Sequence, residues 1–109
     1  MQHSFDIDIA KKYGIVEATL LNFLYTCTYE YRDSDVHLYD GKYFVRCTQK
    51  ELSFYFPYIS LITIKRALKA LRENNLIIAA NYNIDPHDKT LWYAVTGKAL
   101  ALLNHKGRG

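Results

Sequence analysis

Pro57 breaks an otherwise helical stretch running from Thr48 to Arg72, and this one interruption narrows the folds open to the chain. Ahead of it, Thr48 stands where an N-cap belongs and Glu51 follows three residues later, the spacing of a capping box. Leu52, Tyr55 and Phe56 recur at i, i+3 and i+4, so a short helix buries one face. It stops at the proline, which disfavours helix at the residue before it and has no backbone N–H to donate. Ser60 caps a second helix whose apolar stripe is Leu61, Ile64, Leu68 and Leu71. Two short capped helices with a tight turn between them have the layout of a helix-turn-helix.

Off that stripe lie Thr63, Lys65, Arg66, Lys69 and Arg72, with Glu73 the only acid before the helix ends near Asn74-Asn75. A solvated surface helix usually mixes signs to gain i,i+4 pairs. Here the cations are nearly unopposed, which fits a negatively charged partner as well as a plain lysine-rich solvent face. Charge along the chain favours the partner. Residues 1–40 hold three Lys/Arg against seven Asp/Glu and residues 41–109 eleven against four, so the net +3 divides into −4 and +7. The positive potential belongs to the half with the helix pair, an asymmetry that fits nucleic acid.

A chain of 109 residues, half of them apolar, predicts one folded domain over residues 1–104 and a flexible basic tail at 105–109. No apolar run reaches the roughly 18–20 residues of a membrane span and no signal-peptide pattern opens the chain, so a cytoplasmic protein is expected. Cys27 and Cys47 form no CxxC and are expected as reduced thiols. His3, His37, His87 and His105 have no ligand-like spacing, which predicts no zinc site. There is no P-loop, nucleophile elbow or telling pair of carboxylates, so no enzyme, cofactor or small-molecule substrate is expected. Asp6 and Asp8 read as charges favourable at a helix start.

Taken in order, Phe5, Ile7 and Ile9 alternate like a strand, but a helix from about Asp6 to Tyr13, stopped by Gly14, is the preferred reading. Val16 to Tyr31 is a stronger helix, apolar over more than half its circumference. That width makes it either the central core helix or one that also meets a second subunit, with Tyr25, Tyr29 and Tyr31 as the contact. Arg32 to Asp40 reads as a surface loop, Asp40-Gly41 as a turn, and Lys42 to Cys47 as a strand leading into Thr48. After the basic helix, Leu76–Tyr82 and Thr90–Thr96 are two strands joined by a polar loop, and Gly97–Asn104 is a closing helix. The expected fold is α+β: a winged helix-turn-helix with N-terminal helices, a small three-stranded sheet made of the strand before the helix pair plus the wing hairpin, and a short C-terminal helix.

Several stretches, in this order and spacing, resemble the N-terminal winged-helix domain of phage replisome organisers and DnaD-like primosomal proteins. They are Ile7-x-Ile9-Ala10, Gly14-Ile15-x-Glu17-Ala18, Asp40-Gly41-Lys42-Tyr43-Phe44-Val45 and Phe56-Pro57-Tyr58, followed by Ser60-x-x-Thr63-Ile64-x-Arg66-x-Leu68-x-x-Leu71, Asn75-Leu76-Ile77, and Asn83 to Asp88-x-Thr90-x-Trp92-Tyr93. The match runs over roughly residues 5–96. It implies a phage or prophage protein of a Gram-positive-type host that binds DNA or helps load replication machinery, often as a dimer through its N-terminal region. Members of that family are longer, and partner recruitment by their C-terminal region is not carried over.

With double-stranded DNA as partner, the Ser60 helix enters the major groove N-terminus first, and Thr63, Lys65, Arg66 and Lys69 are the candidate readers. Lys50, Lys89 and Arg72 are candidate phosphate contacts, with the amides at Ser60 a weak positive pole. Two features point elsewhere. Ile62 places an apolar group at the exposed start of the helix, where it meets a thymine methyl or a protein. The wing holds Asp85 and Asp88 against Lys89, a deficit for gripping phosphates, although Asp88 also reads as a turn-holding residue. Trp92-Tyr93 offers stacking for single strands, but an alternating strand turns one of the two inward and packing is preferred. Lys98, Lys106 and Arg108 read as solvated. The other function class is therefore a small phage protein that binds and modulates a host or phage protein, for instance a host defence nuclease. A transcriptional repressor shares the DNA chemistry.

Overall fold

The computed structural model describes residues 5–30 and 37–107, the last four as backbone. It is α+β, with five helices and two small antiparallel sheets among the described residues. The first helix, α1 (Ile7–Tyr13), exists because Asp6 caps it: the Asp6 carboxylate accepts from the amides of Asp8 at 2.9 Å and Ile9 at 3.1 Å. Of the alternating Phe5, Ile7 and Ile9 only Ile9 is buried, so the strand-like period lies idle. Gly14, at φ 113°, turns the chain into α2 (Ile15–Glu30). This helix carries the centre of the core: Leu20, Leu21 and Leu24 are fully buried, and α1, the helix Leu61–Glu73 and the strands Val45–Arg46 and Trp92–Val95 pack around it. Its wide apolar coverage is spent mostly inward. The buried Thr19 hydroxyl is satisfied by donating to the Ile15 carbonyl at 2.8 Å.

The strand expected over Lys42–Cys47 is two pieces. Strands β1 (Leu38–Tyr39) and β2 (Lys42–Tyr43) form a hairpin across Asp40 and Gly41, whose φ values of 50° and 75° are those of a type I′ turn. The expected loop thus ends in a strand. At Phe44 the chain leaves that hairpin, its amide donating to the His37 carbonyl at 2.8 Å, and β3 (Val45–Arg46) joins a different sheet. There β5 (Trp92–Val95) is central, between β3 and β4 (Ile77–Ala80). Both faces of β5 are covered. Tyr93 and Val95 enter the main core, while Trp92 and Ala94 join Phe44 in a second cluster walled by Tyr39 and Tyr82. The Tyr39 and Tyr82 rings stack at 4.0 Å, and Trp92 meets each edge-on.

Between the sheets' strands come α3 (Gln49–Tyr55) and α4 (Leu61–Glu73). The capping box forms, with the Glu51 amide donating to the Thr48 hydroxyl at 2.9 Å and the Thr48 amide to the Glu51 carboxylate at 3.1 Å. Leu52 and Phe56 are buried but Tyr55 is not, and α4 buries Ile64, Ala67, Leu68 and Leu71 rather than Leu61, which is exposed. The buried stripe therefore starts a turn later than the spacing suggested, at Ile64. At the other end, Asn75 sits at φ 59°, and the Asn75 and Leu76 amides donate to the Arg72 and Leu71 carbonyls, a Schellman closure with Asn in glycine's usual place. The last helix, α5 (Gly97–Gly107), is capped by Thr96 and runs three residues beyond the expected end at Asn104, through most of the tail expected to be flexible. Lys98, expected in solvent, donates its ammonium to the Asn74 carbonyl at 3.0 Å. Cys27 and Cys47 are free thiols; burial pushes them up to about 11 and about 12. No helix among the described residues is long and apolar enough to cross a membrane.

Candidate nucleic-acid interface

Helix α4 is presented by its buried side. With Ile64, Ala67, Leu68 and Leu71 fixed inward, Lys65, Arg66, Lys69 and Arg72 are turned to solvent together with Ile62. None of these four cations forms a salt bridge among the described residues, and neither does Lys50 on α3. No described carboxylate neutralises this face. Ser60 and Thr63 are a different matter. The Ser60 hydroxyl accepts from the Thr63 amide at 3.2 Å and donates to the Thr63 hydroxyl at 2.8 Å, and Thr63 is half-buried. The candidate reader Thr63 and the capping Ser60 thus mainly close the start of the helix.

The loop between β4 and β5 is knitted from inside. Asn83 is its hub: the side-chain carbonyl accepts from Trp92 Nε1 at 2.8 Å and Arg46 Nε at 3.1 Å, and the amide donates to the carbonyls of Thr90 at 2.7 Å and Asp88 at 3.1 Å. The Asp88 carboxylate accepts from the Thr90 amide at 2.9 Å and forms an ion pair with Arg46. Those bonds to Thr90 first, then the Arg46 guanidinium, pull the Asp88 carboxyl down to about 2. The acidic deficit expected of this loop is thereby corrected, since Arg46 and Lys89 together balance Asp85 and Asp88. Lys89 is exposed, with its ammonium 3.4 Å from the Pro86 carbonyl of its own loop, beside a groove of about 380 Å³ that Thr48, Gln49 and Thr90 also line. Ile84, near the tip, is fully exposed.

The other candidate contact residues do not gather on that surface. Tyr25 is half-buried and Tyr29 half-exposed, their rings 6.3 Å apart, in a groove of about 310 Å³ that Thr28, Lys42, Tyr43 and Leu100 help line. Tyr31 lies outside the described residues. Ile62, 63 % exposed, does not line that groove, so the expected protein-contact set divides between two places. Trp92 and Tyr93 are both buried, on opposite faces of β5, which removes the pair as a platform for single strands. Among the described residues no group of three His, Cys, Asp or Glu is placed to hold a metal ion.

Sequence reading quoted Asn83 in the loop motif but gave neither it nor Arg46 a role. The signal for Asn83 was present, a polar residue just ahead of a loop that carries Asp88-x-Thr90-x-Trp92, but Arg46 reaches Asp88 from 42 positions away. It also gave no role to Phe54, 80 % exposed in the last turn of α3, or to Tyr58, 66 % exposed between α3 and α4. No protein-family model, no curated protein and no solved structure matches this chain, so a function has to rest on the geometry of its own residues.

Proposed function

We propose that this protein is a winged-helix DNA-binding protein of the phage replisome-organiser type, acting in replication initiation in the cytoplasm of a bacterial host. The observation that carries the reading is the outer face of α4, with Lys65, Arg66, Lys69 and Arg72 exposed and unpaired by any described carboxylate. The layout supports it: two capped helices lead into a hairpin whose loop lies beside the start of α3. In this reading α4 lies in the major groove, Arg66 reads a guanine edge, and Lys65 and Lys69 read bases or neighbouring phosphates. Lys50, Arg72 and Lys89 sit on phosphates and fix the register. A repressor uses the same contacts, and the two differ only in the site they occupy on a genome.

Titration of a labelled duplex at low and moderate salt, against Lys65→Ala/Arg66→Ala/Lys69→Ala, tests the reading. The triple variant is expected to bind roughly tenfold more weakly or worse, and removing a cation that sits on a phosphate should lower the salt slope by about 1. Equal binding by the two proteins would remove α4 as the reader.

A second reading, a small protein that binds and modulates a host or phage protein, is favoured by one feature, the Tyr25–Tyr29 groove between α2 and the β1–β2 hairpin. Tyrosines in a half-open apolar groove are typical contact residues, for a second copy of the chain as much as for another protein.

A further inference from the structure

The end of α3 and the turn that follows it carry exposed rings that duplex binding through α4 leaves unused. Phe54 is 80 % exposed and Tyr58 66 %. Neither ring hangs loose. Phe54 meets Tyr55 edge-on at 5.9 Å, Tyr55 rests on Phe23 at 5.4 Å, and Tyr58 meets the buried Phe56 edge-on at 6.2 Å. Each exposed ring is braced by one beneath it.

Along the chain from α3 into α4, the charges that flank these rings are nearly all of one sign. Lys50 precedes Phe54 by one helical turn on α3, and Lys65 and Arg66 follow within the first two turns of α4; all three are exposed and in no salt bridge among the described residues. The one acid in this stretch, Glu51, has its carboxylate turned to the Thr48 amide. Exposed apolar side chains rimmed by polar ones mark a binding surface, and unopposed cations choose a polyanion over a neutral or basic protein. Flat rings plus cations are what unpaired nucleotides need, since every base has a face to stack and every phosphate a charge to meet.

We propose that this turn is a stacking platform for single-stranded nucleic acid, with bases on Phe54 and Tyr58 and phosphates on Lys50, Lys65 and Arg66. It extends the DNA reading from paired to unpaired strands and rests on different side chains, sharing with it only the cations. A protein with both surfaces is suited to a junction where a duplex opens.

The test compares wild type with Phe54→Ala/Tyr58→Ala on three labelled probes: oligothymidylate of about 15 nucleotides, an abasic oligomer of equal length, and a duplex. Both positions are exposed, so the variant should melt like wild type. Wild type is expected to bind oligothymidylate well and the abasic chain poorly, and the variant to bind about tenfold or more weakly on oligothymidylate alone. Equal binding of wild type to the two single strands, binding to neither, or an unaffected variant overturns the proposal. So does a variant that changes sedimentation while its oligothymidylate binding stays intact, because the rings then serve a protein contact. A missing duplex signal beside intact oligothymidylate binding sinks the duplex reading and leaves this one standing.

Discussion

The two parts of the candidate interface spend their polar groups in opposite ways. On α4 the backbone ends are closed locally, by Ser60 at the start and Asn75 at the finish, so the long cationic side chains are not needed to close them. In the β4–β5 loop almost every polar group is committed: Asn83, Asp88, Thr90 and Arg46 satisfy one another and the Trp92 indole. A regular helix satisfies its interior backbone by itself and leaves side chains free, whereas a loop must recruit side chains to satisfy its backbone. The helix is therefore the place to look for recognition, and the loop for the device that holds its neighbour in position.

The largest effect should separate the two faces of α4. Leu68→Ala empties a buried site and should cost roughly 2–5 kcal/mol in chemical denaturation. Lys69→Ala, one position on, should change stability by less than about 0.5 kcal/mol while weakening duplex binding. If Lys69→Ala destabilises as strongly as a core change, its side chain is structural and the division of labour along α4 fails.

Next comes the loop hub. Asn83→Ala removes one hydrogen bond at once from each of the Trp92 indole N–H, the Arg46 guanidinium and the Thr90 and Asp88 carbonyls. Of these, Arg46 keeps Asp88 and the Asp88 carbonyl keeps Asn81. A cost of about 1–3 kcal/mol is expected, with Trp92 emission shifted towards that of a wetter indole. Because Trp92 is the chain's only tryptophan, its fluorescence reports this site alone. An unchanged spectrum would mean that the aromatic cluster of Tyr39, Phe44 and Tyr82 holds the indole without help.

How far the fold was legible follows the range of the interaction that decides each part. The Thr48 and Ser60 caps and the Pro57 break act within a few residues, and they stand where the sequence put them. Gly14 likewise ends α1. The split of Lys42–Cys47 at Phe44 was hidden, because the covering partner for that ring is assembled from Tyr39, Tyr82 and Trp92. Leu61 fits a helical stripe by spacing, yet the packing of α2, α3 and β4 on α4 decides where that stripe begins to be covered. At the candidate site the exposed cations of α4 could be read from composition. The pairing of Arg46 with Asp88 could not, since register between β3 and β5 creates it: Arg46 stands opposite Trp92, and Asp88 lies just beyond that end of β5.

The smallest effect is the most pointed, because it sets stability against binding within one carboxylate. Asp88 titrates at about 2 when folded, well below its ordinary value of 3.8. A carboxyl lowered by folding contributes its stability in full above the ordinary value, loses it as pH falls towards the folded value, and contributes none below that. The wild type should therefore lose this contribution between about pH 4 and about 2, a window read as the difference between its acid titration and that of Asp88→Asn. The same substitution at neutral pH removes one negative charge beside Arg46 and Lys89, leaving the loop itself neutral and, counted with Arg46 on β3, net positive. If the hairpin lies along a phosphate strand, Asp88→Asn should bind duplex more tightly, by a few-fold at low salt and less at high salt, even as it becomes less stable. A loop that only props β5 would show the loss of stability with no gain in affinity, and the contact surface would then shrink to the helix pair.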